Sequence, residues 1–231
     1  MGSMIEIPAE DGKSFAAYLA VSQRPRGPGL VVLPEMYNFN SVIREVADSY
    51  VADGFSVLAP DMYWRSEHGQ FLEYTDQNRP RARALYAGLD RGHAVADVGR
   101  CLAALRQRSD ANGKVAVVGF CMGGEIAALA SCRLPVDATS IYYGTRMEPH
   151  VPELAKLAAP TVMHFSEHDP HVPLATVDAI RAAVAALPHV AIHVYEGAAH
   201  AFARPRHAQF HAAATALAYR RTRKLFQPLF R

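Results

Sequence analysis

The feature that most constrains the fold is an apolar run that ends in a glycine-rich turn. The segment Val115–Phe120 has the character of a buried strand, and an apolar helical pattern follows it up to Cys132. Cys121 stands between them, with Gly119 on one side and Gly123 on the other. Glycine is needed where the backbones of a strand and the next helix approach too closely for side chains. The pattern therefore predicts a strand, a tight turn that carries the Cys121 thiol, and a helix.

Two polar segments follow predicted strands later in the chain. Asp169 stands in a polar turn after the run 161–165, and His200 stands in the loop after the run 191–195. The chain order nucleophile, acid, histidine is the triad order of α/β-hydrolases and differs from that of other triad folds. Taken singly, each residue has a plain alternative: a buried thiol, a turn-forming Asp and a polar loop histidine. Together, in this order, Cys121, Asp169 and His200 predict a catalytic triad.

The chain as a whole alternates between strands and helices. Predicted strands cover residues 5–8, 15–20, 30–33, 55–59, 115–120, 138–143, 161–165 and 191–195. Predicted helices cover residues 42–52, 81–89, 95–108, 122–132, 174–187 and 206–226, with Asn40 or Ser41 as the first N-cap. The first two strands should form an antiparallel pair. This alternation predicts an α/β fold with a mainly parallel sheet covered by helices on both faces.

Composition narrows the class of protein. Of 231 residues, 50% are hydrophobic and 20% are charged, which is typical of one soluble globular domain spanning residues 1–231. A net charge of +2 is too small to indicate nucleic acid or a membrane surface as a partner. No apolar run is long enough to span a membrane. The start shows no signal-peptide pattern, and residues 1–3 are consistent with a cloning scar. A monomer in the cytoplasm is expected.

Cysteine and histidine usage gives no sign of a metal or cofactor. Cys101, Cys121 and Cys132 form neither an even disulfide framework nor a Cys-x-x-Cys pair, which favours a reducing compartment. His207 and His211 are four residues apart on a predicted helix but have no obvious acidic or cysteine partner. The sequence therefore predicts neither a metal site nor a cofactor.

The segments together resemble the dienelactone hydrolase family over essentially the whole chain. The matching segments are Pro34-Glu35-Met36-Tyr37, Ala59-Pro60-Asp61-Met62-Tyr63, Gly119-Phe120-Cys121-Met122-Gly123-Gly124, Tyr142-Tyr143-Gly144, His168-Asp169 and Gly197-Ala198-Ala199-His200-Ala201-Phe202-Ala203-Arg204. Glu35 and Arg204 matter most, because α/β-hydrolases in general do not require them. The resemblance implies an α/β-hydrolase fold and an enzyme that opens a carboxylate-bearing dienelactone, or a related ester.

The resemblance also implies a role for each matching residue. Cys121 would be the nucleophile, His200 the base and Asp169 the acid that orients it. Glu35 would hold the resting thiol and help to ionise it when substrate arrives. Arg79 and Arg204 would bind the substrate carboxylate, with Arg81 and Arg83 as alternatives to Arg79 in that arginine-rich segment. The natural oxyanion donors are the backbone N–H groups of Met36 and Met122.

Two positions depart from the family pattern. Dienelactone hydrolases carry a serine directly after the catalytic histidine, where this chain has Ala201. They carry a tyrosine four residues after the first arginine, where this chain has Arg83. Both family residues help to hold the acidic substrate. Carboxylate recognition is therefore expected to persist, whereas the preferred lactone is expected to differ.

Three other functions compete with this interpretation. A broad-specificity carboxylesterase would not require a carboxylate on its substrate. A ligand-binding protein on a hydrolase scaffold would lack the nucleophile, the acid or the histidine, and none is missing. A thiol-based redox protein would need a resolving cysteine near Cys121, which the sequence does not clearly provide.

Overall fold

The computed structural model describes residues 2–231; of the suggested cloning scar, Met1 lies outside the described residues. The strands are β1 (Ser3–Pro8), β2 (Ser14–Ala20), β3 (Gly27–Leu33), β4 (Ser56–Pro60), β5 (Ala111–Phe120), β6 (Ala138–Tyr142), β7 (Thr161–His168) and β8 (Val190–Ala199). The helices are α1 (Ser41–Ala52), α2 (Arg79–Ala87), α3 (Arg91–Arg106), α4 (Met122–Arg133), α5 (Leu174–Ala183) and α6 (Ala212–Phe226). Two 3₁₀ helices span Glu148–Lys156 and Gln227–Phe230.

The strands form one sheet in the order β1-β2-β4-β3-β5-β6-β7-β8. The predicted antiparallel pair of β1 and β2 is confirmed, and β2 also pairs with β4 in antiparallel fashion. Strand β3 is parallel to β4, β6 to β7, and β7 to β8. The predicted α/β fold, an α/β-hydrolase fold with a mainly parallel sheet, is therefore confirmed.

The chain forms two compact units, and the division falls within β5. The first unit runs to Val117 and includes Phe230. Its apolar core contains all seven residues of β3, each of them buried. A buried polar cluster accompanies this core: Asp97 accepts hydrogen bonds from the indole of Trp64 at 2.8 Å and from the guanidinium of Arg65 at 2.8 and 3.2 Å.

The second unit comprises Val118–Leu229 and Arg231. The first ten residues of α4, Met122–Ser131, are all buried, and all of them except Glu125 are small or apolar. A buried polar network lies between β6, β7, β8 and α6. In it the Thr222 hydroxyl lies 3.1 Å from Nε2 of His164 and 2.8 Å from the Tyr142 hydroxyl. Nδ1 of His164 lies 2.9 Å from the Tyr195 hydroxyl.

Several predicted helix boundaries were wrong. Helix α3 begins at Arg91 rather than at residue 95, because Asp90 caps it by accepting a hydrogen bond from the N–H of His93 at 2.8 Å. Helix α2 begins at Arg79 rather than at residue 81, with a proline in its first turn, where a missing N–H costs nothing. A capping side chain in α3 and a proline in the first turn of α2 thus start these helices before the apolar periodicity becomes visible.

For the last helix, α6, the predicted start was too early rather than too late. It begins at Ala212 rather than at residue 206, because the His211 imidazole caps it by accepting from the N–H of Ala214 at 3.2 Å. Arg206 has a positive φ of 59°, which a helix cannot accommodate. For α1, the predicted cap is confirmed at Asn40, whose side chain accepts from the N–H of Ile43. Within residues 2–231, no helix combines the length and apolar character needed to cross a membrane.

Candidate active site

Cys121 stands on the turn between β5 and α4. Its backbone has φ 54° and ψ −113°, a conformation that residues other than glycine rarely adopt. A Cβ atom at Gly119 would overlap the backbone of Gly123, and one at Gly124 would lie 2.7 Å from Cα of Gly144. The close approach predicted from the glycines is therefore present. Such strain costs about 1–3 kcal/mol and persists only where the surroundings impose it.

Backbone hydrogen bonds impose this conformation. The N–H of Cys121 donates to the carbonyl oxygen of Tyr142 at 3.0 Å. The carbonyl oxygen of Cys121 accepts from the N–H groups of Gly124 at 3.0 Å and Glu125 at 3.3 Å. It also accepts from the N–H of Thr145 at 3.2 Å. Residues of α4 and of the loop after β6 thus hold both backbone groups of Cys121.

Asp169 and His200 follow the neighbouring parallel strands β7 and β8. Nδ1 of His200 lies 2.7 Å from Oδ2 of Asp169, and Oδ1 of Asp169 accepts from the N–H of His171 at 2.8 Å. The Asp169 side chain is fully buried, and only 11% of the His200 side chain is exposed. With both oxygens held, the carboxylate fixes the imidazole so that Nε2 is directed away from it.

His200 also interacts with Cys121. Burial lowers the pKa of the His200 imidazole, but this effect is outweighed by the negative charge and hydrogen bond of Cys121 and by the hydrogen bond and charge of Asp169. Together these partners raise the pKa of His200 from 6.5 to about 10. While Cys121 carries its negative charge, His200 therefore keeps its proton at neutral pH. The arrangement suits a thiolate–imidazolium pair oriented by a carboxylate.

The start of α4 adds to the anionic preference of this site. Met122 is the first residue of α4, where backbone N–H groups point out of the helix and the helix dipole favours negative charge. Glu125 lies in the same first turn and is 1% exposed. Its carboxyl group lies 3.2 Å from Nε2 of His150, a hydrogen-bonding partner that reduces the cost of burying a polar group.

Three further side chains, none of which was assigned a role from the sequence, contact His200 or Cys121. The rings of Tyr143 and His171 lie edge-on to the ring of His200, with centroids 5.1 and 4.8 Å away. Oγ1 of Thr145 lies 3.9 Å from Sγ of Cys121. Tyr143 and Thr145 follow β6, and residues after the carboxyl ends of parallel strands gather at one edge of a sheet. That rule could have pointed to them.

Glu35 and Met36 lie in the first unit, in the loop after β3. Glu35 is 2% exposed, and its carbonyl oxygen accepts from the N–H of Asn38 at 2.9 Å. The carbonyl oxygen of Met36 accepts from the Tyr63 hydroxyl at 2.8 Å. The amide of Asn38 donates to Asp61 at 2.6 Å, which ties this loop to the one after β4. The backbone on both sides of Met36 is therefore fixed.

The predicted arginines have different surroundings. In the first unit, Arg79 is exposed and lies 2.6 Å from Asp76 in an ion pair, Arg81 pairs with Glu67, and Arg83 is exposed. In the second unit, Arg204 is partly buried in the turn after His200, and its N–H donates to the carbonyl oxygen of Ala201 at 2.9 Å. Ala201 itself is buried with a φ of 63°. Of these arginines, Arg204 shares its turn with His200.

The described part of the chain contains no group of three or more His, Cys, Asp or Glu side chains that could hold a metal ion. Its three cysteines are all free thiols. Burial raises the pKa of Cys132 to about 11, and burial raises that of Cys101 still further. Cys121 therefore differs from both in its hydrogen bond and charge interaction with His200.

Comparison with known proteins places this chain in a family. A family model described as the dienelactone hydrolase family matches residues 15–230. A protein of Azospirillum brasilense, provisionally named a carboxymethylenebutenolidase, is 36% identical over 229 residues, which cover 96% of this chain and 97% of the relative. The carboxymethylenebutenolidase of Pseudomonas putida is 30% identical over 226 residues, covering 97% and 96%.

A solved structure gives a similar result for the fold. The crystal structure of a provisionally named dienelactone hydrolase from Klebsiella pneumoniae superposes with a TM-score of 0.87. The two chains are 23% identical, and 98% of each is covered. At this level of identity the likeness concerns the fold alone.

Proposed function

This chain belongs to the dienelactone hydrolase family and is a carboxylic ester hydrolase; from that premise we propose that it opens a carboxylate-bearing dienelactone, or a related ester, through a Cys121 thioester. One observation carries the proposal. Cys121 stands on a strained turn and interacts with a histidine whose opposite nitrogen lies 2.7 Å from a fully buried carboxylate. A nucleophile, a base and an orienting group in this relation support covalent catalysis.

Acylation begins with attack of the Cys121 thiolate on the lactone carbonyl carbon. The C–S bond forms, and the negative charge moves to the carbonyl oxygen. The N–H of Met122 at the start of α4 is the proposed donor to this oxyanion, and the family resemblance assigns the N–H of Met36 as the second. Removing one such donor typically costs about 3–4 kcal/mol of barrier. The ring C–O bond then breaks, and the leaving enolate or alkoxide takes the proton held by His200.

Deacylation uses the neutral His200 that acylation leaves behind. His200 removes a proton from water as the water oxygen attacks the thioester carbon. The C–S bond breaks, the carboxylic acid product departs, and Cys121 returns as a thiolate beside a protonated His200. Asp169 keeps the imidazole in one orientation through both steps. The thiolate–imidazolium pair that attacked the lactone is thereby restored without any external proton donor.

Arg204 is the proposed anchor for the substrate carboxylate. It follows His200 by four residues and shares its turn. A guanidinium can hold a carboxylate through two parallel hydrogen bonds, which no neutral side chain does. Arg79 is the proposed helper, in competition with its ion pair to Asp76. The substrate class that follows is a small anionic lactone or ester.

The family resemblance assigns Glu35 a regulatory part in this chemistry. A carboxylate near a thiol opposes formation of the thiolate, yet it can also accept the thiol proton. Glu35 is almost fully buried in the loop after β3. We propose that it holds the resting thiol and that arrival of the anionic substrate releases the restraint.

A broad-specificity carboxylesterase is the second candidate, and two observations favour it. The Arg79 guanidinium is already paired with Asp76. Ala201 brings no hydroxyl to the position where the family carries a serine. Both features weaken recognition of a substrate carboxylate. If kcat/KM is equal for a dienelactone and a neutral aryl ester, the broad esterase is the better description.

The proposal is tested by comparing wild type, Cys121→Ala and Cys132→Ala on a dienelactone and a neutral aryl ester. Cys132 is a matched control, because it is a free thiol in the same unit. We expect Cys121→Ala to lose nearly all turnover and Cys132→Ala to keep it. Intact-protein mass spectrometry with a slow substrate should show one acyl adduct in wild type and Cys132→Ala only. Substantial turnover by Cys121→Ala would reject the thioester mechanism.

A further inference from the structure

The loop that follows β6 is tied closely to the turn that carries Cys121. The N–H of Thr145 donates to the carbonyl oxygen of Cys121 at 3.2 Å. The N–H of Cys121 in turn donates to the carbonyl oxygen of Tyr142 at 3.0 Å. Gly144 packs so tightly against Gly124 that a Cβ on the latter would lie 2.7 Å from its Cα. The backbone at Thr145 is therefore held in a fixed position relative to Cys121.

The side chain of Thr145 reaches the reacting sulfur. Its Oγ1 lies 3.9 Å from Sγ of Cys121, and the residue is only 6% exposed. Threonine is stiff at χ1 because its Cβ is branched, so a fixed backbone leaves the hydroxyl few alternative positions. A thiol could donate to this hydroxyl or accept from it. A thiolate has no hydrogen, so in the reactive state the donor must be Thr145.

We propose that Thr145 is a positioning residue whose hydroxyl donates a hydrogen bond to the Cys121 thiolate. The proposal rests on the thioester mechanism described above. Before attack, the hydrogen bond keeps the anion beside His200. During thioester hydrolysis, it stabilises the sulfur as the C–S bond breaks and Cys121 leaves as a thiolate. No bond to Thr145 forms or breaks, and the Thr145 proton stays on its oxygen throughout.

Two substitutions separate the hydroxyl from the shape of the side chain. Thr145→Val keeps the branched shape and removes the hydroxyl, whereas Thr145→Ser keeps the hydroxyl. Both are made in a Cys132→Ala background, so that alkylation reports on Cys121. Thr161→Val is the control: Thr161 is buried in the same unit, and its hydroxyl donates to the carbonyl oxygen of Ala159 at 2.9 Å.

Three readouts are compared at neutral pH: alkylation by iodoacetamide, ultraviolet absorbance of the thiolate, and turnover of the lactone. We expect Thr145→Val to slow alkylation and turnover about threefold to tenfold, the effect of one lost hydrogen bond. Its thiolate absorbance should fall while KM changes little. Thr145→Ser should recover most of each signal. Thr161→Val should alkylate and turn over like its parent.

The possible results distinguish this inference from the function on which it rests. If Thr145→Val matches its parent in alkylation and thiolate absorbance while Cys121→Ala is inactive, Thr145 has no such role and the thioester mechanism stands. If Thr145→Ser is as slow as Thr145→Val, the methyl group rather than the hydroxyl matters, and the inference is wrong. Turnover by Cys121→Ala would instead overturn the mechanism itself.

Discussion

Nδ1 of His200 donates a hydrogen bond of 2.7 Å to Oδ2 of Asp169 across a sequence separation of 31 residues. The contact forms because the two residues follow the parallel neighbours β7 and β8. Asp169 is fully buried, so its charge is compensated by the imidazole and by the N–H of His171 rather than by water. This contact sets the orientation of His200 and, together with the charge and hydrogen bond of Cys121, raises its affinity for a proton.

Asp169→Asn should keep the shape of the site but remove the negative charge beside His200. We expect kcat/KM to fall by about 10³–10⁴, as when an orienting carboxylate is neutralised in other triads. The pKa of His200, raised to about 10, should set the alkaline limit of activity, because above it His200 loses the proton needed by the leaving group. In Asp169→Asn that limit should move to lower pH. A pH–rate profile measures both effects, with the exposed Asp178→Asn as control.

The strained backbone at Cys121 predicts that a glycine at this position would stabilise the fold, although activity would be lost. At φ 54° a Cβ atom is unfavourable, and glycine adopts such angles readily. Cys121→Gly and Cys121→Ala should both be inactive, but the glycine variant should be more stable by about 1 kcal/mol. Urea unfolding of the two variants measures the difference. If the alanine variant is equally stable or more stable, the turn is not strained in solution.

The sequence predicted the site best where a local turn pattern coincided with the topology of a parallel sheet. The turn at Cys121 was required by a buried strand, two flanking glycines and a helical pattern. Parallel strands bring the residues that follow their carboxyl ends to one edge of the sheet. Asp169 and His200 could therefore be predicted to approach each other. The family matches could not place Thr145 or His171, because their contacts depend on loop conformation rather than on periodicity. The start of α6 was missed because its cap is a histidine, an unusual N-cap.

Acid should destabilise the second unit through His164. Burial, together with the positive charges of His193 and Arg221, lowers the pKa of His164 well below 6.5. The unfolded chain therefore binds a proton below about pH 6.5 that the folded chain does not. Stability should fall as the pH drops below 6.5, by up to about 1.4 kcal/mol per pH unit. His164→Gln should unfold more readily at neutral pH and lose this dependence; an unchanged slope in urea titrations would exclude His164 as the cause.

Glu35 supplies a test of substrate-dependent activation. If its carboxylate restrains the resting thiol and then accepts the thiol proton, Glu35→Gln should reduce turnover far more than it changes the unfolding free energy. The same change should alter the rate at which iodoacetamide alkylates Cys121 without substrate. Glu73→Gln is a control, because Glu73 is an exposed acid that caps the start of α1 through Ser41. Unchanged turnover and unchanged alkylation in Glu35→Gln would make Glu35 a bystander.

Arg204 should decide whether the enzyme prefers charged substrates. A hydrogen bond to a charged group contributes roughly 1.5–3 kcal/mol, so Arg204→Met should lower kcat/KM for a dienelactone by about one to two decades. A neutral aryl ester makes no such bond and should be affected little. Arg206→Met, two residues further along the same turn, controls for a general loss of positive charge. Arg79→Met should repeat the effect more weakly, because Asp76 competes for that guanidinium. Equal losses on charged and neutral substrates would assign Arg204 a structural role and favour the broad esterase.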